Sequence, residues 1–138
     1  MTPDGILEAA VYVHDLDAAE AFYGGVLGME RILRLDGRHA FFRCGKSVLL
    51  CFIAAATRLP PQNPDIPVPP HGAEGPSHVC FSAHGADLVH WRGRLEAAGI
   101  EFEEDFTWPG GARSIYVRDP SGNSVELAEP KLWFAEAE

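Results

Sequence analysis

Residues 7–28, LEAAVYVHDLDAAEAFYGGVLG, pass from a two-residue repeat to a helical repeat within one short stretch. Apolar side chains at positions 7, 9, 11 and 13 alternate with a second set that includes Glu8 and Tyr12, which is typical of a strand with two different faces. Asp15 stands where a helix N-cap is expected, and Gly28 stands where a left-handed C-cap is expected. The stretch therefore predicts a β-strand followed by a helix.

The segments after this helix predict three more strands, near residues 29–35, 39–44 and 47–53. Tight turns are expected at Asp36-Gly37 and Gly45-Lys46. The same order then returns, with a strand at 77–83, a helix that ends at Gly99, and strands near 100–106, 113–118 and 124–128. A repeat of this kind predicts an α+β fold built from two βαβββ modules, whose curved mixed sheets surround a cleft.

Seven prolines fall between the modules, in residues 54–76, and they argue against a helix or a central strand there. We interpret this segment as a linker, part of which folds over the cleft. The tail, 130–138, carries Leu132, Trp133 and Phe134, which we expect to dock on the same chain or on a partner. The whole chain, 1–138, is thus predicted to be one domain, with module one at 6–53 and module two at 77–129.

The composition excludes several classes of partner. With 11 basic and 20 acidic residues the net charge is −9, which disfavours binding to nucleic acid or to anionic membranes. The first residues resemble no signal peptide, and no apolar run approaches bilayer length. The three cysteines form no CxxC pair, as expected of reduced thiols in the cytoplasm, where we place the protein.

The two-residue period of the predicted strands indicates that three polar residues face the same way. In their predicted strands, Glu8, His78 and Glu126 all lie on the face turned away from the helix, so sheets that curl around one cleft bring them together. Two carboxylates beside an imidazole are costly without a compensating cation. One nitrogen and several carboxylate oxygens suit Zn²⁺, Ni²⁺, Mn²⁺ or Fe²⁺, so the pattern predicts a divalent metal site.

Three segments carry a resemblance to a known family. Residues 16–29 begin LDAAEAFY and end LGM, residues 75–81 read GPSHVCF, and residues 116–127 read YVRDPSGNSVEL. Together they resemble the vicinal-oxygen-chelate superfamily, which includes glyoxalase I, extradiol dioxygenases, and fosfomycin and bleomycin resistance proteins. Over residues 7–129 the resemblance implies the glyoxalase/bleomycin resistance/dihydroxybiphenyl dioxygenase fold. It also implies the metal ligands Glu8, His78 and Glu126, and a homodimer in which each site takes ligands from two protomers.

This sequence departs from the family pattern at two positions. The first ligand of this superfamily is often histidine, and here it is Glu8. Glyoxalase I also has a fourth ligand, a glutamate in the first module, and alignment of residues 47–50 with 124–127 places Leu49 there. Leucine cannot bind a metal, so the sequence predicts a weakly held ion and weak or no activity on the methylglyoxal–glutathione adduct.

Further residues are candidates for roles around the metal. Glu8 or Glu126 is a candidate general base. Tyr12 and Tyr116, on cleft-facing positions, are candidates to bind a substrate oxygen, and His71 in the linker is a candidate acid or base at the substrate.

Two functions from different classes follow. The first is a metal-dependent lyase, isomerase or dioxygenase, acting on a small substrate that chelates the metal through adjacent oxygens. The alternative is a binding protein without catalysis, like the bleomycin resistance proteins. Such a protein needs an aromatic groove between protomers and no metal, and Trp91, Trp108 and Trp133 are the available tryptophans.

Overall fold

The computed structural model describes residues 1–135, which divide into two compact units. The first unit is Met1–Gly75, and the second begins at Pro76. Within the part of the chain that is described, no helix is both long enough and apolar enough to cross a membrane.

The first unit contains one mixed four-stranded sheet and two helices. Its elements are β1 (Glu8–Tyr12), α1 (Leu16–Ala19) with a π-helical continuation (Glu20–Val26), β2 (Glu30–Leu35), β3 (His39–Cys44), β4 (Ser47–Phe52) and α2 (Ala54–Thr57). The strand order is β1-β4-β3-β2, in which β1 runs parallel to β4 and the other neighbours are antiparallel.

The second unit repeats this topology. Its elements are β5 (His78–Ser82), α3 (Gly85–Ala97), β6 (Glu104–Thr107), β7 (Arg113–Arg118), β8 (Ser124–Ala128) and a short 3-10 turn (Pro130–Leu132). The strand order is β5-β8-β7-β6, again with one parallel pair, β5 and β8. The predicted α+β architecture of two βαβββ modules is confirmed.

The first helix differs from the expected regular α-helix. Asp15 caps it as predicted, because its Oδ1 accepts hydrogen bonds from the backbone N–H groups of Asp17 and Ala18 at 2.8 and 3.1 Å. Further along, the Leu27 N–H bonds to the carbonyl of Phe22, five residues earlier, which is the π-helical pattern. The adjacent rings of Phe22 and Tyr23 are both buried along this continuation.

Strand register separates a core face from a polar face in each sheet. Buried apolar side chains fill one face, and they include Val11, Phe42, Leu49 and Cys51 in the first unit and Ile115, Val117, Val125 and Leu127 in the second. On the opposite face, Glu8 pairs with Val48 in the first unit, while His78 pairs with Ser124 and Cys80 with Glu126 in the second. In each sheet, the polar residues predicted to form the functional site therefore lie on one face.

Three details of the sequence interpretation need correction. The linker does contain a helix, α2, which fits because it ends before the first proline, Pro60. Strand β6 begins at Glu104 and not near residue 100, because the Ile100 N–H turns back to the Leu95 carbonyl and closes the preceding helix. In the tail, Trp133 is 80% exposed and Phe134 is 70% exposed, so docking on the described part of the same chain is not observed.

Candidate functional site

His78 and Glu126 come together on the polar face of the second unit. His78 begins β5 and Glu126 lies at the centre of β8, the neighbouring parallel strand. The distance between His78 Nε2 and Glu126 Oε1 is 3.3 Å, and the side chains are 50% and 6% exposed. A largely buried carboxylate thus faces an imidazole that is open to solvent on one side.

The hydrogen bonds of His78 show what the space between these two groups can hold. Its Nδ1 lies 3.1 Å from the Ser124 carbonyl oxygen, which can only accept, so Nδ1 carries a proton. A neutral ring then presents the Nε2 lone pair to a carboxylate oxygen, and two acceptors repel each other. A proton or a cation between Nε2 and Oε1 removes this repulsion.

The 3.3 Å separation also fits two ligands of one metal ion. Donors about 2.1 Å from an ion lie about 3.0 Å apart at a right angle and about 3.4 Å apart at a tetrahedral angle. A backbone carbonyl that orients the distal ring nitrogen is the usual support for a metal-binding histidine. The donor pair therefore fits a divalent ion.

A serine and a tryptophan hold the other oxygen of Glu126. Ser114, on β7, donates its hydroxyl proton to Glu126 Oε2 at 2.6 Å, and the Trp108 Nε1–H donates to the Ser114 Oγ at 2.8 Å. Within residues 1–135, no buried side-chain nitrogen or oxygen lacks a hydrogen-bond partner.

Tyr116 and Cys80 also border Glu126. Burial, a hydrogen bond to Glu126 and its negative charge raise the pKa of Tyr116 to about 12. Desolvation of the thiol and the Glu126 carboxylate raise the pKa of Cys80 to about 12. Both groups keep their protons at neutral pH, so they surround the carboxylate as neutral donors.

Beside Tyr116 lies a cavity of about 200 Å³. Its other lining residues are Phe106, Arg118, Ser124 and the acidic residues Glu103 and Glu104. The rings of His78, Tyr116 and Phe106 lie nearly parallel, with neighbouring centroids 6.1 and 6.0 Å apart. The space suits a small molecule in contact with aromatic surfaces.

The first unit brings Tyr12 and His71 together. The Tyr12 hydroxyl lies 2.7 Å from His71 Nδ1, and the tautomer of His71 decides which of them donates. The His71 ring also packs edge-to-face on Phe52, with centroids 4.7 Å apart. This contact holds the linker at His71 against the polar face of the first sheet.

Glu8 lies in the first unit, exposed, at the start of β1. The part of the chain that is described contains no group of three or more His, Cys, Asp or Glu side chains able to hold a metal ion. The metal set Glu8, His78 and Glu126 therefore stays a prediction.

The observed register corrects one position of the repeat alignment. Glu8 pairs with Val48 as His78 pairs with Ser124, so the first-unit residue equivalent to Glu126 is Leu50 and not Leu49. Leu49 is buried on the core face. An alignment error of one residue exchanges the two faces of a strand, and identical neighbours hid it here. The position is apolar in either case.

Sequence reasoning missed Ser114, Cys80 and Trp108 as members of this site. Ser114 lies two residues before Tyr116 on β7, and Cys80 lies two residues after His78 on β5, so the two-residue period carried a signal for both. Trp108 follows the end of β6, outside any periodic segment, and no sequence signal points to its contact with Ser114.

Two of the three tryptophans border a second cavity, of about 310 Å³. Trp108 and Trp133 line it together with Pro109, Leu132 and Lys131. Lys131 is paired with Glu129 at 2.9 Å, so the wall is mainly apolar and aromatic.

Comparison with known proteins gives a consistent result. The model of the Glyoxalase/Bleomycin resistance protein/Dioxygenase superfamily matches residues 5–127. The structure of lactoylglutathione lyase from Agrobacterium tumefaciens is similar, with 45% identity, a TM-score of 0.90, and coverage of 97% of this chain and 99% of that chain. A glyoxalase/bleomycin resistance protein/dioxygenase from Nocardioides is 26% identical, with a TM-score of 0.70 and coverage of 94% and 85%.

The fosfomycin resistance protein FosX from Mesorhizobium loti has the same fold, with 20% identity, a TM-score of 0.66, and coverage of 95% and 96%. The comparison with curated proteins found no match.

Proposed function

Because the chain belongs to the Glyoxalase/Bleomycin resistance protein/Dioxygenase superfamily, we propose that it is a metal-dependent enzyme that acts on a small substrate through two adjacent oxygen atoms. The observation that carries the proposal is the His78–Glu126 pair, with its 3.3 Å gap and its oriented imidazole. The third ligand we propose is Glu8, supplied by a second protomer of a homodimer.

Isomerase or lyase chemistry is favoured over ring-cleaving dioxygenation. A similar structure, at 45% identity, is that of a lactoylglutathione lyase. In addition, a set of one histidine and two glutamates differs from the two-histidine, one-carboxylate set of non-haem iron oxygenases. Adducts of 2-oxoaldehydes with thiols are therefore the first substrates to test, and the absence of a fourth ligand still predicts that turnover of the methylglyoxal–glutathione adduct is weak or absent.

The residues of the proposed site would have separate roles. His78 and Glu126, with Glu8, would hold the divalent ion, which would act as a Lewis acid on the two substrate oxygens. Tyr116 keeps its proton, since its pKa is raised to about 12, and when substrate binds its hydroxyl would turn from Glu126 to donate to a substrate oxygen. The Tyr12–His71 pair of the protomer that supplies Glu8 would bind a second polar group of the substrate.

The chemical step we propose is a proton transfer between two adjacent carbons. A carboxylate removes the proton from the carbon that bears the hydroxyl group and returns it to the neighbouring carbonyl carbon, while the hydroxyl proton passes to the former carbonyl oxygen, so that the substrate is isomerised without an external oxidant or reductant. Glu8 and Glu126 are the two candidates for this base. Because Glu126→Gln is expected to lose the metal, Glu8→Gln makes the assignment. Glu8 is the base if Glu8→Gln still binds metal but loses turnover, and Glu126 is the base if Glu8→Gln keeps its turnover.

Metal binding is the experiment that tests the proposal. Protein purified without chelator should contain about one divalent ion per chain, and His78→Ala and Glu126→Gln should each lose it while keeping the circular dichroism spectrum of the folded protein. A matched control is His90→Ala, at an exposed position of α3, which should keep the metal. Absence of metal from the unsubstituted protein, even after incubation with Zn²⁺, Ni²⁺, Mn²⁺ or Fe²⁺, would contradict the proposal.

One observation favours the alternative, a ligand-binding protein without catalysis. The cavity between Trp108 and Trp133 offers apolar aromatic walls to a flat ligand. In that case bleomycin should quench the tryptophan fluorescence of metal-free protein, and Trp133→Ala should weaken its binding. An unchanged fluorescence across the titration would eliminate this second function.

A further inference from the structure

The hydrogen bonds that reach Glu126 Oε2 have only one possible direction. The indole N–H of Trp108 can donate but not accept, so the Ser114 oxygen must accept it at 2.8 Å. The single hydroxyl proton of Ser114 then points to Glu126 Oε2 at 2.6 Å. This short contact is the length expected of a hydrogen bond to an ionised carboxylate.

We propose that Ser114 and Trp108 are positioning residues, which occupy Oε2 of Glu126 and leave Oε1 turned toward His78 as the single oxygen available to a metal ion. This inference rests on the proposed function, because it concerns how the metal would be held. It assigns a role to two residues outside the expected ligand set.

Burial makes the contribution of Ser114 hard to replace. Ser114 is fully buried and Glu126 nearly so, and water has little access to Oε2 if the hydroxyl is removed. A buried carboxylate oxygen without its donor loses a charge-assisted hydrogen bond and is free to rotate. Tyr116, which also hydrogen bonds to Glu126, supplies one remaining donor, so the carboxylate stays partly held in a Ser114 variant.

Trp108 contributes through Ser114 and not through direct contact with the metal site. Its N–H fixes the rotamer of the Ser114 hydroxyl, and its ring packs on Phe106 with centroids 4.8 Å apart. Because the indole N–H is its only donor, Trp108→Phe removes the hydrogen bond and retains an aromatic ring. We expect a smaller effect from this change than from the loss of the hydroxyl itself.

The inference is tested by titration with Co²⁺, in which calorimetry measures the affinity and visible absorption reports the coordination of the ion. Ser114→Ala should lower Co²⁺ affinity about 10–100-fold, the range typical of residues that orient a metal ligand. Its spectrum should also change, because a freed Oε2 can join Oε1 on the ion and raise the coordination number. Trp108→Phe should weaken binding about tenfold or less, and Ser114→Thr, which keeps the hydroxyl, should restore both affinity and spectrum.

The controls separate this inference from the proposed function. Trp91→Phe, on α3, should leave the titration unchanged. If the unsubstituted protein binds no Co²⁺, the proposed function fails and the inference fails with it. If that protein binds Co²⁺ and Ser114→Ala binds it with the same affinity and spectrum, only the inference is overturned. If circular dichroism shows that Ser114→Ala is unfolded, Trp108→Phe provides the test. In that case an unaltered Co²⁺ affinity and spectrum in Trp108→Phe would overturn the inference.

Discussion

Leu50 occupies the place in the first sheet that Glu126 occupies in the second. It lies on the same face as Glu8, two pairs further along the β1–β4 ladder, opposite Ala10. An apolar side chain there cannot bind a metal. If the proposed site is correct, an octahedral ion would keep about three positions for water or substrate and would be held loosely.

We predict that Leu50→Glu tightens metal binding by adding a fourth ligand, with slower loss of the ion to a mild chelator. The matched control is Leu49→Glu, one residue earlier. Both leucines are buried, but only Leu49 faces the core, so a carboxylate there should lower the melting temperature sharply and give no gain in metal affinity. Equal metal retention in Leu50→Glu and in the unsubstituted protein would show that the fourth position lies elsewhere.

A second prediction concerns Cys80, whose raised pKa of about 12 keeps the thiol protonated. The thiolate is the reactive form, and an ordinary cysteine has a pKa near 8.5, so alkylation of Cys80 by iodoacetamide at pH 8 should be at least about 100-fold slower than in the unfolded chain. Mass spectrometry of metal-free protein gives the rate. Glu126→Gln should accelerate it, because the carboxylate helps to raise the pKa. A rate equal to that of the unfolded chain would refute the predicted protonation.

Asp105 connects β6 to β7 and to α3. Arg113 of β7 binds it through two hydrogen bonds of 2.8 and 2.7 Å, and Arg92 of α3 contacts the same carboxylate. The Arg113 hydrogen bond, with the positive charge of both arginines, lowers the pKa of Asp105. The carboxylate therefore ties helix and sheet together in its ionised form.

The predicted consequence is a pH-dependent contribution to stability. A lowered pKa stabilises the fold above the unfolded value, near 4, and this stabilisation is lost as pH falls through the lower folded value. Asp105→Asn should cost about 1–2 kcal/mol at pH 7, a range reduced for solvent screening, and the difference should shrink below about pH 4. Urea unfolding at several pH values measures it. Glu101→Gln, at an exposed position, should change stability by less than about 0.5 kcal/mol. A constant difference across the pH range would contradict the ion-pair explanation.

Most elements could be predicted from the sequence where turns bracket a clear alternation. Strands β3, β7 and β8 have their predicted bounds, because glycine or aspartate turns flank them on at least one side. The π-helical continuation could not be predicted, since a hydrogen bond to the fifth preceding residue leaves residue types unchanged. The proline content of the linker does not predict helix α2, because the helix ends before Pro60.

The site was predictable to the extent that it lies on strands. Periodicity placed His78 and Glu126 on one face of their strands, and the parallel pairing of β5 with β8 explains their contact. The contact between Tyr12 and His71 spans 59 residues and ends in a non-periodic linker. Only tertiary packing determines such a contact, so the sequence could name these residues but not pair them.

At the scale of the whole molecule, the prediction concerns assembly. If Glu8 of one protomer completes the site formed by His78 and Glu126 of another, the protein is a dimer at micromolar concentration. Mixing Glu8→Ala with His78→Ala should then restore about one competent metal site per heterodimer. Light scattering gives the mass, and Co²⁺ absorption counts the sites. A monomeric mass, or no recovery of sites after mixing, would rule out sharing between protomers.

The matched register of the two sheets also determines where the chain tolerates changes of length. Seventy residues separate Glu8 from His78, whereas 76 separate Val48 from Ser124, although both pairs occupy equivalent positions. The second half therefore has a net insertion of six residues between β5 and β8, outside the pairing of these two strands that carries the site. A single-residue insertion within β4 or β8 would turn every later side chain of that strand to the other face. In genetic terms, the connections between strands absorb insertions and deletions, while β1, β4, β5 and β8 have a fixed length.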